Sequence, residues 1–232
     1  GERRRTAAIA DEFDQIIQTL LDARREHPAA EATGGIDVTR ELMTETVNGR
    51  PLEDTEIVSI LRNWTAGDLG SLATSIGVIV HFLANRSEVQ SVLRTQAHAG
   101  EDSAIEAAIE EILRIDDPFV SNRRRATHEV ELGGQRVEKD ARLVLNWTAA
   151  NRDPLVFDDP DRFDPIGNAH ANLVFGIGPH MCPGRALTLM ELRVVTQTLL
   201  AATDHIELAI ERPAVRETRP AGGWARVPVV LR

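Results

Sequence analysis

Apolar positions at the start of the chain recur at helical spacing. Ile9, Phe13, Ile16, Ile17, Leu20 and Leu21 alternate with charges, which predicts an amphipathic helix over 6–26 that ends near His27-Pro28. The small residues from Pro28 to Gly35 read as a loop. Residues 38–47 predict a short helix stopped by Asn48-Gly49. Asp54 or Thr55 then caps the longest helix of the chain, which runs to about Asn85. Helices over 87–97 and 103–115 follow, the second with Ile105, Ala108, Ile109 and Ile112 on one side.

From Val120 the period falls to two. Val130 and Leu132, then Gly133-Gly134, then Val137 predict a hairpin with a two-residue turn, and Leu143 with Leu145 predicts another strand. Residues 151–172, rich in Asp, Pro and Asn, read as irregular. A helix over 185–202 and short strands over 206–210 and 227–231 complete the chain. The pattern predicts a mainly α fold with minor β.

Composition narrows the class. With 232 residues, 42% of them hydrophobic and 27% charged, the chain suits one large or two modest globular domains. A net charge of −10 leaves nothing to neutralise a phosphate backbone on a large scale, so nucleic acid is not an expected partner. Arg supplies 25 of the 26 basic residues and Lys139 the other, which points to codon usage more than to chemistry. No uninterrupted run of about 18 apolar residues occurs, so no membrane span is expected in this chain. The opening Gly1-Glu2-Arg3-Arg4-Arg5 has no Met and enters a helical pattern at once, as the interior of a longer polypeptide would. Cys182 is the one cysteine. It rules out an internal disulfide and a multi-Cys zinc site, and suits a reduced, cytoplasmic protein.

That cysteine lies in the most informative segment, Phe175-Gly176-Ile177-Gly178-Pro179-His180-Met181-Cys182-Pro183-Gly184-Arg185. Paired glycines allow a tight loop that can approach something flat or bulky. The loop leads into a helix whose free N–H groups favour an anion, and a cysteine there is biased toward the thiolate that ligates iron. The alternative for any lone cysteine is a buried small hydrophobe.

This segment resembles the heme-ligand loop of the cytochrome P-450 family, Phe-Gly-x-Gly-x-His/Arg-x-Cys-x-Gly, at every fixed position. The resemblance implies the C-terminal part of the P-450 fold, with 1–232 as one heme-binding region of a longer domain. It implies heme b (iron protoporphyrin IX) as cofactor, Cys182 as the axial thiolate and metal ligand, and Phe175 near the sulfur. Gly176, Gly178 and Gly184 shape the loop in that reading, and His180 hydrogen-bonds a heme propionate.

Three further segments match the family. Glu111 and Arg114, at i and i+3 of a helix, share a face and can pair. With Arg162 of Pro160-Asp161-Arg162-Phe163 they resemble the family's Glu-Arg-Arg cluster, a structural lock for the core. Arg123-Arg124-Arg125 would by itself be a solvated run. The family's propionate-binding Arg falls two residues before Ala126-Thr127, at Arg124, and strand alternation turns Arg123 and Arg125 away from it. In the long helix, Gly67, Gly70, Ser71 and Thr74 make one small-residue face. Close helix packing would explain that face, as would a macrocycle lying against a kinked distal helix. Where the family has an acid and a Thr to relay protons toward dioxygen, this chain has Leu69 and Gly70, flanked by Asp68 and Ser71. Ser71 lies on the small-residue face and is the better proton donor of the two, through a water.

The resemblance implies a heme-thiolate monooxygenase that inserts one atom of dioxygen into a small organic substrate. Phe119, Val120 and either Trp64 or Thr65 would border the substrate pocket, although core packing explains the first two equally well. No flavin or nicotinamide fingerprint occurs, so a separate ferredoxin or flavodoxin type electron donor is expected. Arg185 and Arg193 are either its basic docking face or ordinary helix arginines. The other readings are a heme-binding protein without turnover, a peroxide-using variant or an inactive fragment. The Leu69-Gly70 departure and the short length favour these alternatives.

Overall fold

Helix α1 (Glu2–Glu26) and helix α2 (Val38–Thr44) begin the chain, as their periodicity predicts. In this computed structural model residues 2–27, 37–218 and 221–232 are described, and the loop expected at 28–35 lies outside the described residues. The helix expected over 38–47 stops at Thr44. Its last residues instead form β1 (Thr46–Val47), which pairs antiparallel with β2 (Arg50–Pro51). Asn48 and Gly49 both take positive φ, 51° and 78°. Such a pair makes the two-residue turn that matches strand twist, so this Asn-Gly reverses a hairpin and does not cap a helix.

The long helix α3 (Asp54–Ala84) follows, then α4 (Ser87–Ala99) and α5 (Asp102–Ile115). Beyond them β3 (Ser121–Arg125) pairs with β6 (Arg142–Asn146), and β4 (Val130–Leu132) with β5 (Gln135–Val137) across the predicted Gly133-Gly134 turn. A short helix α6 (Trp147–Ala150) precedes the irregular stretch, and α7 (Arg185–Ala201) follows it. Strand β7 (Ile206–Leu208) pairs with β10 (Val229–Leu231). Between them lies a pair absent from the sequence reading, β8 (Val215–Arg216) with β9 (Trp224–Arg226). The fold is mainly helical with small two-stranded sheets, as predicted.

The chain divides into two compact units, Gly1–Gly70 and Ser71–Arg232. The first has a small core of Ile17, Leu21, Ile57 and Val58. Ion pairs such as Arg62–Asp14 (2.7 Å) and Arg50–Glu56 (2.7 Å) surround it. Arg50 and a backbone amide hold Glu56 well below the usual carboxylate range, at about 2. The second unit holds the larger core. There α5 buries Ile105, Ala108, Ile109 and Ile112, and Val78, Ile79 and Leu83 of α3 meet Leu189, Leu192 and Leu200 of α7. Helix α3 is long and apolar enough in composition to cross a membrane. A count of uninterrupted apolar residues passes over it because Asp68 breaks the run, and its C-terminal half is core in this unit.

Candidate functional site

The cysteine loop is a closed structure. The Cys182 amide donates to the Phe175 carbonyl at 2.8 Å, and between them Met181 donates to Gly178 at 3.0 Å around a 3-10 turn, Gly178–His180. Gly176 (φ 74°) and Gly178 (φ 73°) both occupy the left-handed region. That is the reason for two glycines here, since a Cβ strains this conformation. Val174 and Phe175 anchor the loop on the large core, and the Arg185 guanidinium stands 5.8 Å above the Phe175 ring. Gly184 has a different role: a Cβ there would lie 3.9 Å from the Cys182 sulfur, an ordinary contact. Cys182 is half-buried, His180 is exposed, and the loop turns Ile177 and Met181 to solvent, 70% and 54% exposed. A single sulfur flanked by exposed apolar side chains fits a flat apolar macrocycle with one protein ligand. Among the described residues no cluster of His, Cys, Asp or Glu is suited to hold a bare metal ion.

Below the loop sits a buried ion pair. Arg114 (0% exposed) donates to both oxygens of Glu111 at 2.7 and 2.9 Å, and to the carbonyls of Asn151 and Pro160 at 2.7 and 3.0 Å. Glu111 also accepts from the Asp164 amide (3.0 Å) and Asn168 Nδ2 (2.8 Å). The Phe157 ring lies 4.6 Å from the guanidinium carbon. Helical i,i+3 spacing places the two side chains together, and the irregular stretch supplies the remaining partners. With every charge satisfied, this pair ties 151–168 to α5.

Residues 2–205 match the model of the family described as Cytochrome P450. The chain belongs to the cytochrome P450 family. It is 30% identical over 202 residues to linalool 8-monooxygenase of Pseudomonas putida, covering 87% of this chain and 47% of that protein. It is 29% identical to a steroid C26-monooxygenase of Mycobacterium tuberculosis (strain CDC 1551 / Oshkosh), covering 94% and 56%. The crystal structure of CYP108D1 from Novosphingobium aromaticivorans superposes with a TM-score of 0.82 at 27% identity, over 99% of this chain and 53% of that one. The chain thus spans about half the length of the curated relatives it matches. Heme is the cofactor that P450 membership implies.

Other residues singled out from the sequence are placed as follows. Arg124 is half-buried between exposed Arg123 and Arg125, the alternation expected of a strand, and donates to the Arg123 carbonyl at 2.9 Å. Gly67 and Gly70 are exposed on α3, with nothing within 4 Å of where a Cβ would stand, while Asp68 and Ser71 are half-buried. Thr65 is exposed and its hydroxyl donates back to the Leu61 carbonyl at 2.9 Å. Phe119 is 49% exposed and bridges Ala221. Val120 lines a cavity of about 740 Å³ whose walls include Asp117, Arg152 and Arg216 but not Cys182.

One expectation needs correction. The Arg162 side chain does not join Glu111 and Arg114. It turns outward to Asp164 (2.7 Å), and only its carbonyl faces Arg114, at 3.5 Å. The Asp164 amide and Asn168 Nδ2 already donate to the Glu111 carboxylate, where a second cation would have to bind. Arg185 and Arg193 are both engaged in ion pairs within the chain. Arg185 pairs with Glu110 at 2.6 Å, and Arg193, 18% exposed, pairs with Asp102 and Glu106 at 2.8 and 2.9 Å. These pairs link α7 to α5.

Sequence reasoning missed Asp117 and Asn151. Both are buried polar residues, 6% and 0% exposed. Desolvation pushes the Asp117 carboxyl up to about 6, against the pull of Thr148, Asn151 and Arg152. An Asp-Asp doublet directly before a Pro, at the end of an apolar helix, was the available signal.

Proposed function

We propose that this chain is the thiolate-bearing part of a heme monooxygenase. The enzyme places one atom of dioxygen into a small apolar or aromatic organic molecule, with electrons from a separate ferredoxin or flavodoxin type donor. The single observation that carries the reading is the closed loop around Cys182, fixed by the 2.8 Å amide bond to Phe175 and two left-handed glycines. The relatives named as linalool and steroid monooxygenases support an apolar substrate.

When bound, heme b supplies the dioxygen and one-electron chemistry, with electron density from the sulfur favouring O–O cleavage. The chain's own residues hold and orient it. Cys182 would be the metal ligand, with Gly176, Gly178 and Gly184 shaping the loop that carries it and Phe175 beside the sulfur. Exposed His180 and half-buried Arg124 are the residues that would donate to the propionates. Gly67 offers a helix surface with nothing within 4 Å of where a Cβ would stand, and Ser71, a better candidate than Asp68, would donate a proton through a water. Phe119, Val120 and Thr65 border the substrate. In this reading 1–232 forms one heme-binding region of a longer, cytoplasmic P450 domain.

A second reading, heme binding without turnover or with peroxide in place of dioxygen, is favoured by Leu69 and Gly70 standing where a proton-relay pair is expected. The deciding experiment is the absorption of the hemin-reconstituted, reduced protein under carbon monoxide. The strongly red-shifted Soret band of thiolate ligation is expected, and Cys182→Ala abolishes it; a band indifferent to that change ends the proposal. Product formed with a reductase pair, compared with product from peroxide alone, separates the two readings.

A further inference from the structure

One buried residue touches each structure on which the cysteine loop depends. Asn151 is wholly buried at the end of α6. Its backbone carbonyl accepts from Arg114 Nη1 at 2.7 Å, inside the saturated ion-pair cluster. Its side-chain oxygen accepts from the Leu173 amide at 2.8 Å. Leu173 opens the cysteine loop, because its carbonyl receives the Gly176 amide at 2.9 Å. The side-chain nitrogen of Asn151 points the other way, toward Asp117 Oδ1 at 3.4 Å.

The two side-chain contacts call for the same orientation of the amide. An asparagine can present either end to a neighbour, and the surrounding donors and acceptors select between them. An ionised carboxylate only accepts, so Asp117 turns the Asn151 NH2 toward itself and leaves the oxygen facing the Leu173 N–H. The other Asp117 oxygen is buried without a hydrogen-bond partner, and so is the Thr148 hydroxyl. Asn151 gives Asp117 a hydrogen bond, and Thr148 adds a further pull on the carboxylate. Asp116 and Arg152 are the charged groups that act on it.

We infer that Asn151 is the positioning residue of the thiolate loop, and that Asp117 sets its orientation so that it holds Leu173 in place. The inference rests on the proposed role of Cys182 as heme ligand only in its consequence for the iron; the hold on Leu173 is a property of the chain itself. Asn151 acts through Leu173 and touches no reacting atom.

The test reads amide hydrogen exchange at Leu173 and Gly176 in the full chain, together with the thiolate share of the carbon monoxide spectrum after hemin reconstitution. Asn151→Ala speeds Leu173 exchange by about tenfold, the loss of roughly one net hydrogen bond. Because that variant opens a buried hole, Asn151→Asp is the stricter probe. It keeps an acceptor for Leu173 but sets a second carboxylate against Asp117. At pH 8 it should speed exchange and lower the thiolate share. Adding Asp117→Asn reverses the donor and acceptor between the two positions and restores both readings. Unchanged Leu173 exchange in both single variants overturns the inference, and so does a double variant no better than Asn151→Asp. If Cys182→Ala leaves the thiolate spectrum intact, the heme reading fails, while Leu173 exchange still decides this one.

Discussion

Two buried acids at one end of α5 lead opposite lives. Glu111 accepts four hydrogen bonds of 2.7 to 3.0 Å, two of them from a guanidinium that is itself fully partnered. Asp117, six residues on, has one long contact of 3.4 Å and an oxygen with no hydrogen-bond partner. Burial costs any charge its hydration, and only close partners recover that cost. The first acid is thereby a fastening, while the second is a charge held under tension and raised to about 6. The difference shows that burial by itself does not tell a structural carboxylate from a responsive one; the count and length of its bonds do.

The comparison is most severely tested at the saturated pair. Arg114→Met leaves Glu111 charged and buried, and should cost about 3–5 kcal/mol in urea denaturation. A loss under about 1 kcal/mol would show that the cluster fastens nothing. Asp117 should respond with the opposite sign. Its pKa is raised in the folded chain above the ordinary 3.8, so the native state binds the proton more tightly and stability declines as pH climbs from about 4 to about 6. The decline attributable to it is on the order of 3 kcal/mol at most, at about 1.4 kcal/mol per pKa unit. Asp117→Asn, which keeps an acceptor for Asn151, should remove that slope. It should be more stable than the parent at pH 8 and nearly equal to it at pH 4. Equal stability of the two proteins at pH 8 would mean that Asp117 is solvated after all. Smallest of all is the control, Arg136→Ala, which removes an exposed pair with Glu129 (2.6 Å). Thermal unfolding should not register it, since exposed ion pairs contribute little.

Much of this was legible from residue spacing. The periodicities of α1 and α5 follow from which side chains must leave water; α5 buries its predicted face, while α1 buries Ile17 and Leu21 and leaves Ile9, Ile16 and Leu20 exposed. Gly133-Gly134 announced its turn because few residues tolerate positive φ in succession. Asn48-Gly49 carried the same signal and was read as a helix stop, since helix ends favour the same residues. The β8–β9 pair was hidden because each strand has only two or three residues, too few to establish a period. Within the candidate site, the cysteine loop and the Glu111–Arg114 spacing are local patterns, and a sequence displays local patterns. Arg162 does not join the pair because other donors, from segments distant in sequence, reach the Glu111 carboxylate.

The chain's order of residues, by itself, determined the helical faces, the turn chemistry, the sulfur-bearing loop and membership in the P450 family, because each rests on residues a few positions apart. Only the tertiary structure decided what the charges do. It gave Glu111 four partners and Asp117 almost none, spent Arg185 and Arg193 on holding α7 to α5, and set Asn151 between Asp117 and the cysteine loop. The physical reason is that the energy of a buried polar group depends on the atoms that close around it. Those atoms arrive from segments far apart in sequence, whose meeting no local spacing records.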